Sequence, residues 1–89
     1  METSRKSGAV ADAVEDTVVT ALRAVLGVAE VAPDARFAAL GGDSMRAVRV
    51  LSRLWRELGV ELPVDSLQKD TTVAEFVAVV REHASARPA

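Results

Sequence analysis

Arginines at 46, 49, 53 and 56 are spaced by three and four, and among them fall Ala47, Val48, Val50, Leu51, Leu54, Trp55 and Leu58. An α-helix sorts such a run into a basic stripe and one broad apolar face, because residues three and four apart lie one above the other. A strand would scatter both sets over its two sides. The spacing therefore predicts a helix from about Ser44 to Leu58, closed by Gly59, with Trp55 on the face that enters the core. Met45 is the misfit: it projects beside the arginines, away from that face.

Two more segments carry the same period. Val14, Val18, Ala21 and Val25 align at about 100° per residue with Leu22 and Leu26 beside them, while Asp12, Asp16 and Arg23 gather opposite. This predicts a first helix from Val10 to Leu26, stopped at Gly27. Near the other end, Thr72-Val-Ala-Glu75 reads as a capping box, with an acid three residues after a capping threonine. Val73, Phe76, Val77, Val80 and Ala84 then form the stripe of a last helix reaching about Ala84. Between the second and last helices, Pro63 can open a short helix over Val64 to Lys69, with Val64 and Leu67 facing inward.

The expected fold is thus all-α, a bundle of three long helices and one short one, with no strand alternation. Residues 10–84 form its single domain, with 1–9 a disordered N-terminal tail and 85–89 a C-terminal tail. The connection from Gly27 to Gly42 is long for two neighbouring helices. Its Pro33-Asp34 pair signals a turn, and Val28, Val31, Phe37 and Leu40 are apolar residues able to pin it to the core.

Composition narrows the chemistry. The chain of 89 residues has no cysteine and one histidine, which leaves no thiolate metal site, no disulfide and little material for a Ser–His pair. His83 falls near the end of the last helix and reads as a solvated or edge residue. A net charge of −2 gives no global attraction to nucleic acid or an anionic membrane. No apolar run approaches the ~20 residues of a membrane span. A soluble, cytoplasmic monomer is expected.

One stretch stands apart, Phe37-Ala-Ala-Leu-Gly-Gly-Asp-Ser-Met45. Two glycines free the backbone, Asp43 is a good N-cap, and Ser44 falls in the first helical turn at the positive end of the helix dipole. That environment suits a serine bearing a phosphate ester. It equally suits a serine that does nothing more than follow a helix cap.

Leu40-Gly-Gly-Asp-Ser-Met45 resembles the attachment motif of carrier proteins, and the Gly-Gly-Asp-Ser form resembles the peptidyl carrier (thiolation) domains of non-ribosomal peptide synthetases. Fatty-acid acyl carriers more often have alanine or another residue before the Asp-Ser. The similarity runs from roughly Asp12 to Ala84, with Phe37 at the place of an aromatic found shortly before the motif. It implies the four-helix carrier bundle and a 4′-phosphopantetheine arm, taken from coenzyme A and esterified to Ser44. It further implies that Asp43 assists the metal or ester of a phosphopantetheinyl transferase, with Gly42 beside it. The chain would then be no enzyme. It would hold aminoacyl or peptidyl thioesters and present them to adenylation, condensation, tailoring or thioesterase enzymes. The implied docking residues are Leu40, Met45, Arg46 and Arg49.

The residues leave some readings open. Met45 either tucks against the preceding loop or offers an exposed, adaptable contact beside the serine; the latter fits a partner-facing position better. The arginine stripe is either a solvated face or a docking surface. It departs from the acidic second helix typical of fatty-acid acyl carriers, although an acyl carrier of polyketide type stays possible. A small helical module that binds DNA through the stripe, or binds a protein without modification, is the reading of a different class. Against DNA stand the acidic remainder of the chain and the lack of a paired-helix motif.

Overall fold

The computed structural model describes residues 2–86, and their side chains from 13 to 84. Three α-helices are present, α1 (Glu2–Leu26), α2 (Ser44–Leu58) and α3 (Val73–Ala86), with single 3-10 turns at Ala38–Leu40 and Val64–Ser66. Among the described residues there is no strand, only an isolated antiparallel bridge between Arg36 and Thr72. α1 begins ahead of the apolar stripe that predicted it. Residues 2–9, expected as a disordered tail, are part of α1 in their backbone, and residues 85 and 86 of the expected C-terminal tail close α3; the side chains of both tails lie outside the described residues.

α1 packs against both α2 and α3. The core takes Val18, Ala21 and Leu22 from α1, Ala47, Val50, Leu51 and Leu54 from α2, and Val73, Phe76, Val77 and Val80 from α3. Phe37 and Leu67 enter it from the connections. Among the described residues no polar or charged side chain is buried, so apolar burial is what holds the helices together. Each fully buried Leu, Val or Phe contributes about 1.5–3 kcal/mol over its exposed state. Phe76, Leu22 and Leu54 are the largest of these.

Helix ends follow the expected signals. The amides of Gly27 and Gly59 bond back to Arg23 O and Trp55 O, each at 2.8 Å, closing α1 and α2. At the start of α3 the capping box is formed in both directions: Glu75 N donates to Thr72 Oγ1 at 3.1 Å, and Thr72 N donates to Glu75 Oε1 at 2.9 Å. His83, part-buried near the helix end, donates from Nδ1 to the Val79 carbonyl at 2.9 Å in the tautomer that permits it.

Three expectations are corrected. Trp55, placed in the core by its position on the wheel, is 59% exposed, and Val48 on the same edge is 50% exposed. The apolar arc of α2 is about 160° wide at 100° per residue. α1 packs over the side bearing Ala47, Val50, Leu51 and Leu54, and the Val48–Trp55 edge stays open. Val64, expected to face inward, is 72% exposed, while its neighbour Leu67 is buried. Only Val64–Ser66 form a helical turn there, shorter than the expected Val64–Lys69. The turn ends at Ser66 and Leu67 is already extended (φ −131°, ψ 102°), so the i, i+3 alignment of a 3-10 helix is not continued and the two side chains part.

The connection between α1 and α2 is tied to the segment before α3. Phe37 N donates to Thr71 O at 2.9 Å and Ala38 N to Lys69 O at 2.8 Å. In return, Val73 N donates to Ala35 O at 3.0 Å and Ala74 N to Pro33 O at 2.8 Å. The first amides of a helix have no partner within it. Here the loop's carbonyls provide partners, so the loop caps α3 while α3 holds the loop.

Candidate functional site

The fastened loop leads directly into Gly41-Gly42-Asp43-Ser44. Gly41 has φ +91°, a left-handed conformation that a side chain would strain, and its amide closes the 3-10 turn on Ala38 O at 3.0 Å. Gly42 serves a different need. Its amide donates to Phe37 O at 2.9 Å, and a Cβ at this position would fall onto the Phe37 ring. Phe37 is itself buried. The pair of glycines thus turns the chain and then lets it lie flat on an aromatic side chain already fixed in the core.

Asp43 caps α2 as expected. Its Oδ1 accepts from Arg46 N at 2.9 Å, from an extended backbone with φ −146° and ψ −175°. Arg46 folds back over this turn, with Nη1 at 3.1 Å from Asp43 Oδ2 and 3.4 Å from Gly41 O. Both side chains are about half exposed, so the pair is a surface one of small energetic weight. Its consequence is positional, since it sets a guanidinium beside the backbone that precedes Ser44.

Ser44 is exposed in the first turn of α2. Among the described residues no base is hydrogen-bonded to its hydroxyl; the only histidine, His83, bonds to its own helix. Beside it runs a groove of about 720 Å³ between α2 and the 64–70 segment. Phe37, Ala47, Val48, Val64 and Leu67 give it an apolar lining, and Asp65, Gln68, Lys69 and Asp70 a polar one. An exposed hydroxyl thus opens beside a groove of mixed polarity. No group of three or more metal-binding side chains occurs among the described residues.

Met45 is 71% exposed, next to Ser44 and on the same flank of α2 as Val48 and Trp55. Arg46 and Arg49 are also exposed. Leu40 is not with them: half-buried, it packs against the core and lines a cleft on the α1 side with Val19 and Arg23. The stripe is not uniformly free charge. Arg46 pairs with Asp43, and Arg53 Nε lies 3.0 Å from Glu57 Oε2 in an ion pair too bent to count as a hydrogen bond. Sequence reasoning missed the apolar flank of Val48, Trp55 and Val64, and the groove-lining residues Gln68 and Lys69. For the flank a signal was available, in an apolar arc wider than one helix face needs.

The family model described as the phosphopantetheine attachment site matches residues 16–80. The chain belongs to this family. A phosphopantetheine carrier is a non-catalytic domain that bears a 4′-phosphopantetheine group, and this carrier is similar to those of the peptidyl type. It is 35% identical over 71 residues to surfactin synthase subunit 3 of Bacillus subtilis, a match covering 80% of this chain and 6% of the synthase. It is 42% identical over 60 residues to tyrocidine synthase 3 of Brevibacillus parabrevis, covering 67% of this chain and 1% of that one. The carrier therefore spans only a small part of the large synthases it resembles. Its fold is similar to that of BlmI, a type-II acyl carrier protein from Streptomyces verticillus involved in bleomycin biosynthesis, with a TM-score of 0.75 and 29% identity. That likeness covers 93% of this chain and 98% of BlmI. No described helix is long and apolar enough to cross a membrane.

Proposed function

We propose that Ser44 is the attachment point of the arm, and that the carrier works in non-ribosomal peptide or related natural-product assembly. The observation that carries the proposal is an exposed serine in the first turn of α2, beside a groove and behind two glycines that its fold separately requires. When bound, the arm supplies the thiol that a chain without cysteine lacks, and on which substrates are held as thioesters. The chain's own residues present and orient. Asp43 holds the start of α2, with its second carboxylate oxygen turned to solvent and Arg46. The resemblance implies that this carboxylate would help hold the magnesium ion of a phosphopantetheinyl transferase or orient the ester, the transferase bringing the catalysis that Ser44 lacks. Tethering then makes each encounter between cargo and catalyst intramolecular, raising its effective concentration.

The family's four-helix bundle with a long first connection is the architecture this reading implies, the 3-10 turn at Val64–Ser66 standing in place of the short helix. Adenylation, condensation, tailoring and thioesterase enzymes are its partners, met through Met45, Arg46 and Arg49. Because arm and cargo derive from coenzyme A and activated acids, the reading places the carrier in the cytoplasm. Similarity to surfactin and tyrocidine synthases supports the peptidyl type, and the Gly-Gly-Asp-Ser form agrees with it.

Intact mass before and after incubation with coenzyme A, Mg²⁺ and a broad-specificity transferase tests the assignment. One phosphopantetheine is expected on the wild type and none on Ser44→Ala, with helicity retained because Asp43 keeps the cap. No gain on the wild type, or a gain that persists in the alanine variant, defeats it.

A further inference from the structure

Attachment at Ser44 would place a second anion beside Asp43. A phosphodiester keeps one negative charge throughout the range in which the protein is folded, and it would sit one residue from a carboxylate already committed to capping α2. Two like charges this close disfavour each other unless a cation serves both. Arg46 is that cation by position. One of its terminal nitrogens, Nη1, makes both the contact to Asp43 Oδ2 at 3.1 Å and the contact to Gly41 O at 3.4 Å. Nε and Nη2 are left without a partner among the described residues. A guanidinium presents five donors in a rigid fork and commonly bridges two oxyanions.

From this geometry we infer that Arg46 is a positioning residue of the modified carrier: it bridges the Asp43 carboxylate to the phosphodiester on Ser44 and fixes the root of the arm. The inference rests on the attachment reading above and extends it to what holds the arm once attached. The competing charges are few. Arg49 lies one turn further along α2, and Lys69 lines the groove together with Asp65 and Asp70. Lys69 shares the groove lining with two acids, whereas Arg46 is held over the backbone just before Ser44 by contacts that exist before modification. The arrangement also suits α2, because Asp43 need not give up its bond to Arg46 N when the phosphate arrives.

Apo and holo forms of the full chain, separated by intact mass, test it by two readouts that need no partner enzyme. The first is the arginine Nε–Hε spectrum of the wild type. Modification should shift the Arg46 resonance and slow its exchange with water, leaving those of Arg49 and Arg56 in place. The second is the change in melting temperature on modification. It should be near zero in the wild type and in Arg49→Gln, and a fall of about 2–5 °C in Arg46→Gln, with Arg46→Lys between them. An Arg46 resonance that ignores modification overturns the inference, as does an apo-to-holo change in Arg46→Gln equal to the wild type's. A fall seen in Lys69→Gln instead assigns the phosphate to the far side of the groove and overturns it too. If no mass is gained at all, the attachment reading fails and takes this inference with it, an outcome the mass spectrum alone identifies.

Discussion

Gly41 and Gly42 are identical neighbours that the fold needs for unrelated reasons, one for a left-handed φ and the other for contact with a ring. From sequence, the pair announced a flexible approach to Ser44. The structure shows an approach that is fixed, because Phe37 lies where a Gly42 side chain would be. That distinction was illegible in sequence, since the contact joins residues brought together by the 3-10 turn at 38–40. Gly42→Ala should cost about 1–3 kcal/mol by forcing the ring aside, as overpacking does. Phe37→Leu should lose stability on its own yet relieve the alanine. The double variant is then expected to be more stable than the sum of the single effects allows, read by urea denaturation in a double-mutant cycle. Strict additivity would mean that the ring and the glycine are not in contact.

At the scale of the element, α2 shows how far a helical wheel can be trusted. Its limits, its cap at Asp43 and its terminator at Gly59 all stand where the sequence placed them. Its core face does not, because a wheel reports which residues share a side and says nothing about how much of that side the neighbours cover. Leu54 and Trp55 both lie on that broad face, about 100° apart, yet Leu54 is fully buried and Trp55 mostly exposed. Leu54→Ala should therefore cost about 2–5 kcal/mol, and Trp55→Ala less than about 1 kcal/mol, measured by chemical denaturation. As the only tryptophan, Trp55 gives a direct check: its fluorescence should be quenched readily by acrylamide in the native state. Met45 extends the same exposed flank toward Ser44, so Met45→Asp should leave the melting temperature within a few degrees of wild type while slowing reaction with at least one partner enzyme. A stability loss of core size would instead show that Met45 is packed inside.

Across the whole molecule, what positions Ser44 is a loop that behaves as part of the bundle. Residues 27–43 carry only one 3-10 turn, and by length alone such a segment would be the most mobile part of a small helical domain. The anchors Phe37 and Leu40 were legible as large apolar residues in a long connection. The backbone exchange with α3 was not, because no side-chain pattern encodes it: Pro33 and Ala35 offer carbonyls that accept from the first amides of α3, while Phe37 and Ala38 donate to Thr71 and Lys69. The capping box at Thr72–Glu75 satisfies the next amide, so the loop and the helix start are completed together. Amide exchange should report this as one cooperative unit. The amides of Phe37, Ala38, Val73 and Ala74 are expected to exchange at a common rate, slower by orders of magnitude than an unprotected loop, and Thr72→Ala should accelerate all four. The substitution removes the hydroxyl that Glu75 N uses, about 0.5–2 kcal/mol of capping, together with a γ-methyl, and no backbone bond of the loop, so a faster rate at Phe37 and Ala38 would reach them through the shared unit. Acceleration confined to Val73 and Ala74 would separate the loop from α3 and leave the position of Ser44 to the Phe37–Gly42 contact alone.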